Sequence, residues 1–198
     1  MLFRSVAHLA PFADEAGSSV TVRLNSTDTI TEFVYGESTG YLNVPAGDYL
    51  VEILPTGTET VAISASVSLT DGVDYTALAI GDGANQDLAI QALEDENSAP
   101  AAGNFALRVG HMAPFSNTIT GTLAEIRTDA GDLVVGPFPF GITFPRVELP
   151  AGEYDLQVTS PDGAATLIDL APLTFADGDV VSVFATGEGS NQIGRAHV

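Results

Sequence analysis

The segment Val6-Ala7-His8-Leu9-Ala10-Pro11-Phe12 returns 103 positions later as Val109-Gly110-His111-Met112-Ala113-Pro114-Phe115. A second segment, Val44-Pro45-Ala46-Gly47-Asp48-Tyr49-Leu50-Val51-Glu52-Ile53, returns at an offset of 105 as Leu149-Pro150-Ala151-Gly152-Glu153-Tyr154-Asp155-Leu156-Gln157-Val158. Asp71-Gly72 returns at 106 as Asp177-Gly178, and Gly81-Asp82-Gly83-Ala84-Asn85-Gln86 as Gly187-Glu188-Gly189-Ser190-Asn191-Gln192. The order is kept while the offset drifts slowly, as small loop insertions produce. The 198 residues therefore divide into two similar units, each near the usual size of a domain.

The repeated segments read as turns feeding strands. Proline presets φ for a turn, and glycine allows the positive φ that its last residue often needs. Tyr154, Leu156 and Val158 then fall on one face, with Asp155 and Gln157 on the other. Val61, Ile63, Ala65, Val67 and Leu69 alternate in the same way. The spacing predicts strands near 5–10, 19–25, 29–35, 40–44, 48–54, 60–69, 74–80 and 87–93 in the first copy. In the second it predicts strands near 104–111, 120–127, 132–137, 142–149, 153–159, 164–175 and 179–186. No helical period is present.

The expected fold class is all-β: two tandem antiparallel β-sandwich domains, immunoglobulin-like or transthyretin-like. They span 6–95 and 104–192, with 96–103 as a charged, Pro- and Gly-containing linker. The insert Gly136-Pro137-Phe138-Pro139-Phe140-Gly141 has no evident equal in the first copy. Its two prolines cannot donate to a ladder, which makes it an edge or loop. Exposed there, Phe138 or Phe140 would form a contact surface; packing under the sandwich edge is the favoured fate. The first copy continues past Gln86 into Asp87–Leu93, whereas the second stops at the equivalent Gln192. The second sandwich is therefore expected to lack its last strand and to carry an open edge.

The two ends read as foreign to the domains. Ile193-Gly194-Arg195-Ala196-His197-Val198 matches the translation of a common sequencing-library adapter, and Met1-Leu2-Phe3-Arg4-Ser5 resembles the opposite one. On that reading residues 1–5 and 193–198 are non-native, the natural segment belongs to a metagenomic fragment of a longer gene, and a signal peptide lies beyond view. Further domains of the same full-length chain are expected.

Twenty-six acidic residues face six arginines and no lysine, a net charge of −20. That balance argues against nucleic acid or anionic lipid bound through a basic patch. No apolar run approaches the roughly 18 residues of a membrane span, so no membrane insertion is expected in this segment. With no cysteine, thiol catalysis, disulfides and Cys-ligated zinc are excluded.

Motifs for chemistry are sparse. His8 and His111 occupy the same place in each copy, with no second histidine at ligand spacing. The structural reading, a ring bonded to nearby backbone beside the Ala-Pro turn, is preferred to a ligand or base. Asp71, Asp74, Asp177 and Asp179 flank tight turns, and Asp82 and Glu188 sit in Gly-rich loops. No D-x-D-x-D-G run with a closing Glu is present, so turn chemistry is favoured over calcium. Nucleophile-elbow, H-E-x-x-H and phosphate-loop motifs are missing. Arg23 and Arg127 occupy similar strand positions and are expected to pair with carboxylates. No catalytic, cofactor-binding or metal residue is nominated. His8, Pro11, Pro45, Gly47, Tyr49, His111, Pro114, Pro150, Gly152 and Tyr154 are read as structural signature residues, with Tyr49 and Tyr154 anchoring the cores.

The Val-x-His-x-Ala-Pro strand end, the Val/Leu-Pro-Ala-Gly-[Asp/Glu]-Tyr turn and the strand Tyr75-Thr76-Ala77-Leu78-Ala79-Ile80-Gly81 together resemble the bacterial and archaeal "domain of unknown function 4397" family. The resemblance covers about 6–95 and 104–192. It departs after the proline, where Phe12 and Phe115 stand in place of the family's Asp-Ala-Pro continuation. It implies secretion and a β-sandwich, and supplies no catalytic residues. The resulting expectation is a non-catalytic structural or adhesive module of an exported or cell-surface prokaryotic protein, in contact with other surface proteins or polysaccharide. A carbohydrate-binding module is the alternative, and a hydrolase a distant third.

Overall fold

The computed structural model describes residues 3–11, 19–188 and 191–197, and the side chains of 5–11 and 19–187. Phe12 lies outside the described residues. The chain forms two compact units, Met1–Glu96 and Asn97–Val198. Both are built from strands. The one helical turn among the described residues is the 3-10 segment Ile119–Thr122, and no helix there is long and apolar enough to cross a membrane.

The first unit contains β1 (Phe3–His8), β2 (Val20–Leu24), β3 (Thr27–Phe33), β4 (Leu42–Asn43), β5 (Gly47–Pro55), β6 (Ile63–Leu69), β7 (Asp74–Ile80) and β8 (Ala89–Asp95). They form two four-stranded sheets, ordered β4-β1-β7-β8 and β3-β2-β5-β6. Alternation decides what lies between the sheets. Val20 and Val22 of β2, Val51 and Ile53 of β5, and Ala79 of β7 share one core with Phe33, and Tyr49 packs on its margin. The β2–β3 hairpin turns on Asn25 and Ser26, both at positive φ (47° and 65°), the backbone of a two-residue primed turn. The Asn25 side chain then accepts the Leu50 N–H at 2.9 Å, tying this turn to β5.

The second unit repeats the plan with β9 (Asn104–His111), β10 (Ala124–Thr128), β11 (Leu133–Phe138), β12 (Val147–Pro150), β13 (Gly152–Tyr154), β14 (Leu156–Thr159), β15 (Thr166–Asp169), β16 (Leu173–Phe175), β17 (Val180–Glu188) and β18 (Asn191–His197). The sheet β12-β9-β17-β18 corresponds to β4-β1-β7-β8. The partner sheet β11-β10-β14-β15 corresponds to β3-β2-β5-β6, except that the last two strands are cut in two, leaving β13-β16 as a separate pair. β5 and β6 pair without interruption from Gly47↔Leu69 to Ile53↔Ile63. Between Tyr154↔Leu173 and Gln157↔Asp169, by contrast, three steps along one strand span four along the other, and Pro172, which has no N–H, lies in the gap.

Two expectations need correction. The sandwiches are not wholly antiparallel: β1 runs parallel to β7, and β9 parallel to β17. Apolar alternation places a residue on a face but says nothing of strand direction. The position expected to be an open edge is filled, because β18 pairs antiparallel with β17 from Ser182↔His197 to Glu188↔Asn191. At the start of the first unit, Ser5 is only 1% exposed, with its hydroxyl 2.9 Å from Thr76 Oγ1. The stretch 97–103 is bound to the second unit: Ser98 accepts from Arg146, Ala101 N–H donates to Glu148 and Gly103 N–H to Asp177.

Candidate functional site

The duplicated histidine is a buried polar residue in each unit. His111 ends β9, is 1% exposed, and uses both ring nitrogens. A carbonyl can only accept, so the 2.6 Å contact to the Thr122 carbonyl requires the proton on Nε2. Nδ1 then accepts the Ala113 N–H at 3.3 Å. The ring is thus a neutral imidazole of one tautomer. Burial pushes its pKa below the usual 6.5, against the smaller opposing effect of the Thr122 carbonyl. Phe115 stacks on it at 5.5 Å and Phe138 meets it edge-on at 5.9 Å.

This geometry corrects the reading of the 136–141 insert. Phe138 is 3% exposed and opposite Ala124, just as Phe33 is 5% exposed and opposite Val20. Gly141 N–H donates to the His111 carbonyl at 2.7 Å, as Gly36 N–H does to the His8 carbonyl at 2.7 Å, and both glycines have φ of 80°. Phe138-Pro139-Phe140-Gly141 is therefore the counterpart of Phe33-Val34-Tyr35-Gly36, disguised by its prolines. Phe138 is a core residue and no contact surface, because the segment curls inward over the histidine. Phe140 is half-buried, its N–H held by Thr122 Oγ1 at 2.9 Å. In the first unit His8 is fully buried and sits 6.1 Å from both Phe33 and Tyr35, edge-on to the latter. Pro114 is buried and Pro11 half-buried.

The second signature closes on itself. Tyr49 Oη donates to the Pro45 carbonyl at 3.0 Å, and Tyr154 Oη to the Pro150 carbonyl at 2.8 Å. Each ring lies across its own turn, and Tyr154 meets Phe105 at 5.3 Å. Gly47 takes φ of 149°, which side chains rarely adopt; Gly152 has no such φ.

The charged residues are also engaged. Arg23 bonds Asp28 at 2.6 Å and Glu59 at 3.2 Å. Arg127 donates through Nε and Nη2 to one oxygen of Glu125, at 3.0 and 2.6 Å, and this carboxylate is 4% exposed. Glu125 and Thr122 escaped the sequence reading. The i, i+2 spacing of Glu125 and Arg127 on one strand face was the available signal for the pair. Asp82 accepts the backbone N–H groups of Ala84, Asn85 and Gln86 and the Asn85 amide at 2.7–3.1 Å. Burial alone would raise its pKa, but these bonds together hold it below the usual 3.8. Asp177 and Asp179 likewise accept from Gly103 and Ala176. Among the described residues no group of three or more His, Cys, Asp or Glu is placed to hold a metal ion.

The model for the family described as "Domain of unknown function (DUF4397)" matches residues 5–120, running through the first unit and past His111. No curated protein sequence matches the chain. Among solved structures, the chain is similar to a family 41 carbohydrate-binding module from streptococcal virulence factors, described for alpha-glucan recognition (11% identity, TM-score 0.31, 95% of this chain and 96% of that one). A second is a family 26 carbohydrate-binding module of Eubacterium rectale Amy13K in complex with maltoheptaose (10%, 0.29, 99% and 97%). A third is the Bacillus anthracis TIE protein (16%, 0.29, 94% and 34%). All three TM-scores lie below 0.5, and the β-sandwich assignment rests on the strand order above.

Proposed function

The chain belongs to the DUF4397 family, and from that premise we propose that it is a non-catalytic tandem module of an exported, surface-associated prokaryotic protein, acting as a spacer or adhesive unit. One observation carries this reading: the residues repeated between the copies are spent on framework contacts. Both signature tyrosines clamp their own turns, and both histidines are buried under aromatic rings. A ring 1% exposed, with each nitrogen engaged by backbone, has no proton to exchange with a substrate. The aromatic rings support the same reading over a sugar-binding one. Tyr41 is the one aromatic side chain classed as exposed among the described residues, at 45%, and a stacking platform needs more than one ring.

The test combines three measurements. Intact cells carrying the natural gene are treated with protease, and the purified chain is run through gels containing soluble polysaccharides and incubated with chromogenic esters and glycosides. Release of the module from cells, unretarded migration and no turnover are the expected results. Retardation by one polysaccharide would replace the spacer with the carbohydrate-binding alternative. Turnover, or full protection inside intact cells, would overturn the proposal.

A further inference from the structure

The space between the two sheets differs sharply between the units. In the second unit it holds a cavity of about 220 Å³, against about 70 Å³ at the corresponding place in the first. Every described residue lining the larger cavity has an apolar side chain, including Val109, Ile126, Leu156 and Leu173. Two differences between the copies lie on this side of the fold. Tyr75, which lines the smaller cavity, is replaced at the equivalent register position by Val181, because Tyr75 pairs with Arg4 and Val181 with Leu107. The ladder continuous in β5–β6 is broken around Pro172, and Leu170 and Leu173 beside that break line the cavity.

The cavity also reaches the surface. Its exposed lining residues include Val134 (40%) on edge strand β11 and Val147 (45%) on edge strand β12, with exposed Pro145 beside them. The gap between the edges of the two sheets is therefore an apolar mouth. The cation nearest in the chain, Arg146, is engaged: it donates to Ser98 Oγ and O at 2.8 Å and lies 3.7 Å from Glu148.

We infer that the second unit is a receptor for a small neutral hydrocarbon or hydrocarbon-tailed molecule, held between its sheets and admitted between β11 and β12. Size and charge define the ligand class. A dry apolar cavity of about 150 Å³ accepts benzene, so by proportion this one accepts about eight or nine carbon atoms. With no polar side chain among the described lining residues and a chain of net charge −20, an anionic headgroup finds no charged partner there and repulsion outside. The first unit, with the same fold and a third of the space, is the built-in control.

The test uses the full chain with 13C-labelled Val, Leu and Met methyl groups, titrated with octan-1-ol and separately with octanoate at pH 7. Octan-1-ol is expected to give saturable shifts at Val109, Leu156 and Leu173, with none at Val22 and Val51 of the first unit. Octanoate is expected to bind at least tenfold more weakly. Filling the cavity by Val135→Phe should weaken octan-1-ol at least tenfold while the dispersed Met112 methyl signal reports an intact fold; Leu173→Phe serves if the first variant fails to fold. No saturable shift, equal shifts in both units, equal affinity for octanoate, or undiminished affinity in a folded filled variant would each overturn the inference.

Discussion

Gly110 and Phe184 face each other across the parallel β9–β17 pair, where the first unit has Ala7 and Leu78. Adding a Cβ to Gly110 would place it 2.6 and 2.8 Å from two Phe184 ring carbons and 3.0 Å from Met112 Cε. Carbon atoms attract best at about 3.5–4.0 Å, so the ring must retreat by roughly 1 Å. Phe184 is 2% exposed and has little room for this. Overpacking of this kind costs about 1–3 kcal/mol, of which alanine recovers roughly 0.5–1 through its better strand backbone. Gly110→Ala should therefore destabilise the second unit by up to about 2.5 kcal/mol. Phe184→Leu alone should cost about 1 kcal/mol for the hole it leaves. The double variant rebuilds the Ala-Leu pair of the first unit and should be less destabilised than the two singles added together, with a coupling of at least about 1 kcal/mol. The chain has two methionines, and Met112 Cε lies at the altered spot, so its 13C-methyl signal followed through a urea titration reports this unit alone. Simple additivity of the two losses would refute the reasoning.

The other expectations rest on single polar groups. The pKa of His111 is below 6.5 when folded, so the unfolded chain takes up the proton first. Stability is then complete above about pH 6.5 and declines as pH falls through that value, by at most about 1.4 kcal/mol per unit, and His111→Gln should remove this component from denaturation curves. Glu125→Ala removes the carboxylate paired with Arg127, whose side chain is 21% exposed, and leaves the Gly131 carbonyl at 2.8 Å as its hydrogen-bond acceptor among the described residues; a loss of about 2–3 kcal/mol in the second unit is expected by urea denaturation, below the full cost for a wholly buried pair. Asp82→Ala removes three backbone acceptor bonds and should cost about 1–2 kcal/mol. Because the folded pKa of Asp82 lies below 3.8, the difference from wild type should persist above that pH and fade below it as the wild-type carboxylate is protonated.

Much of this fold could be read from the chain because it is written twice. Two copies of Pro-x-Gly-x-Tyr, each followed by period-two alternation, located β5 and β13–β14 within a residue or two. What escaped was whatever depends on distance in space. The parallel β1–β7 pairing joins residues about 70 positions apart, and no local pattern encodes its direction. Burial of Phe138 was the favoured expectation, but its equivalence to Phe33 was hidden by its flanking prolines, which signal a loop. Thr122 carries the key acceptor for His111 through its backbone carbonyl, an atom every residue possesses, so side-chain chemistry could not single it out. The cavity lies beside a one-residue slip at Pro172, which becomes visible only once strand partners are known.

That cavity has a volumetric consequence. Unfolding eliminates internal voids, and the two units differ by about 150 Å³, on the order of 90 mL per mole. If the whole difference is expressed, hydrostatic pressure favours unfolding of the second unit over the first by about 2 kcal/mol per kilobar. Two domains of one ancestry and one topology would then part company under compression, with the chain passing through a state in which the first sandwich stands and the second has collapsed into water.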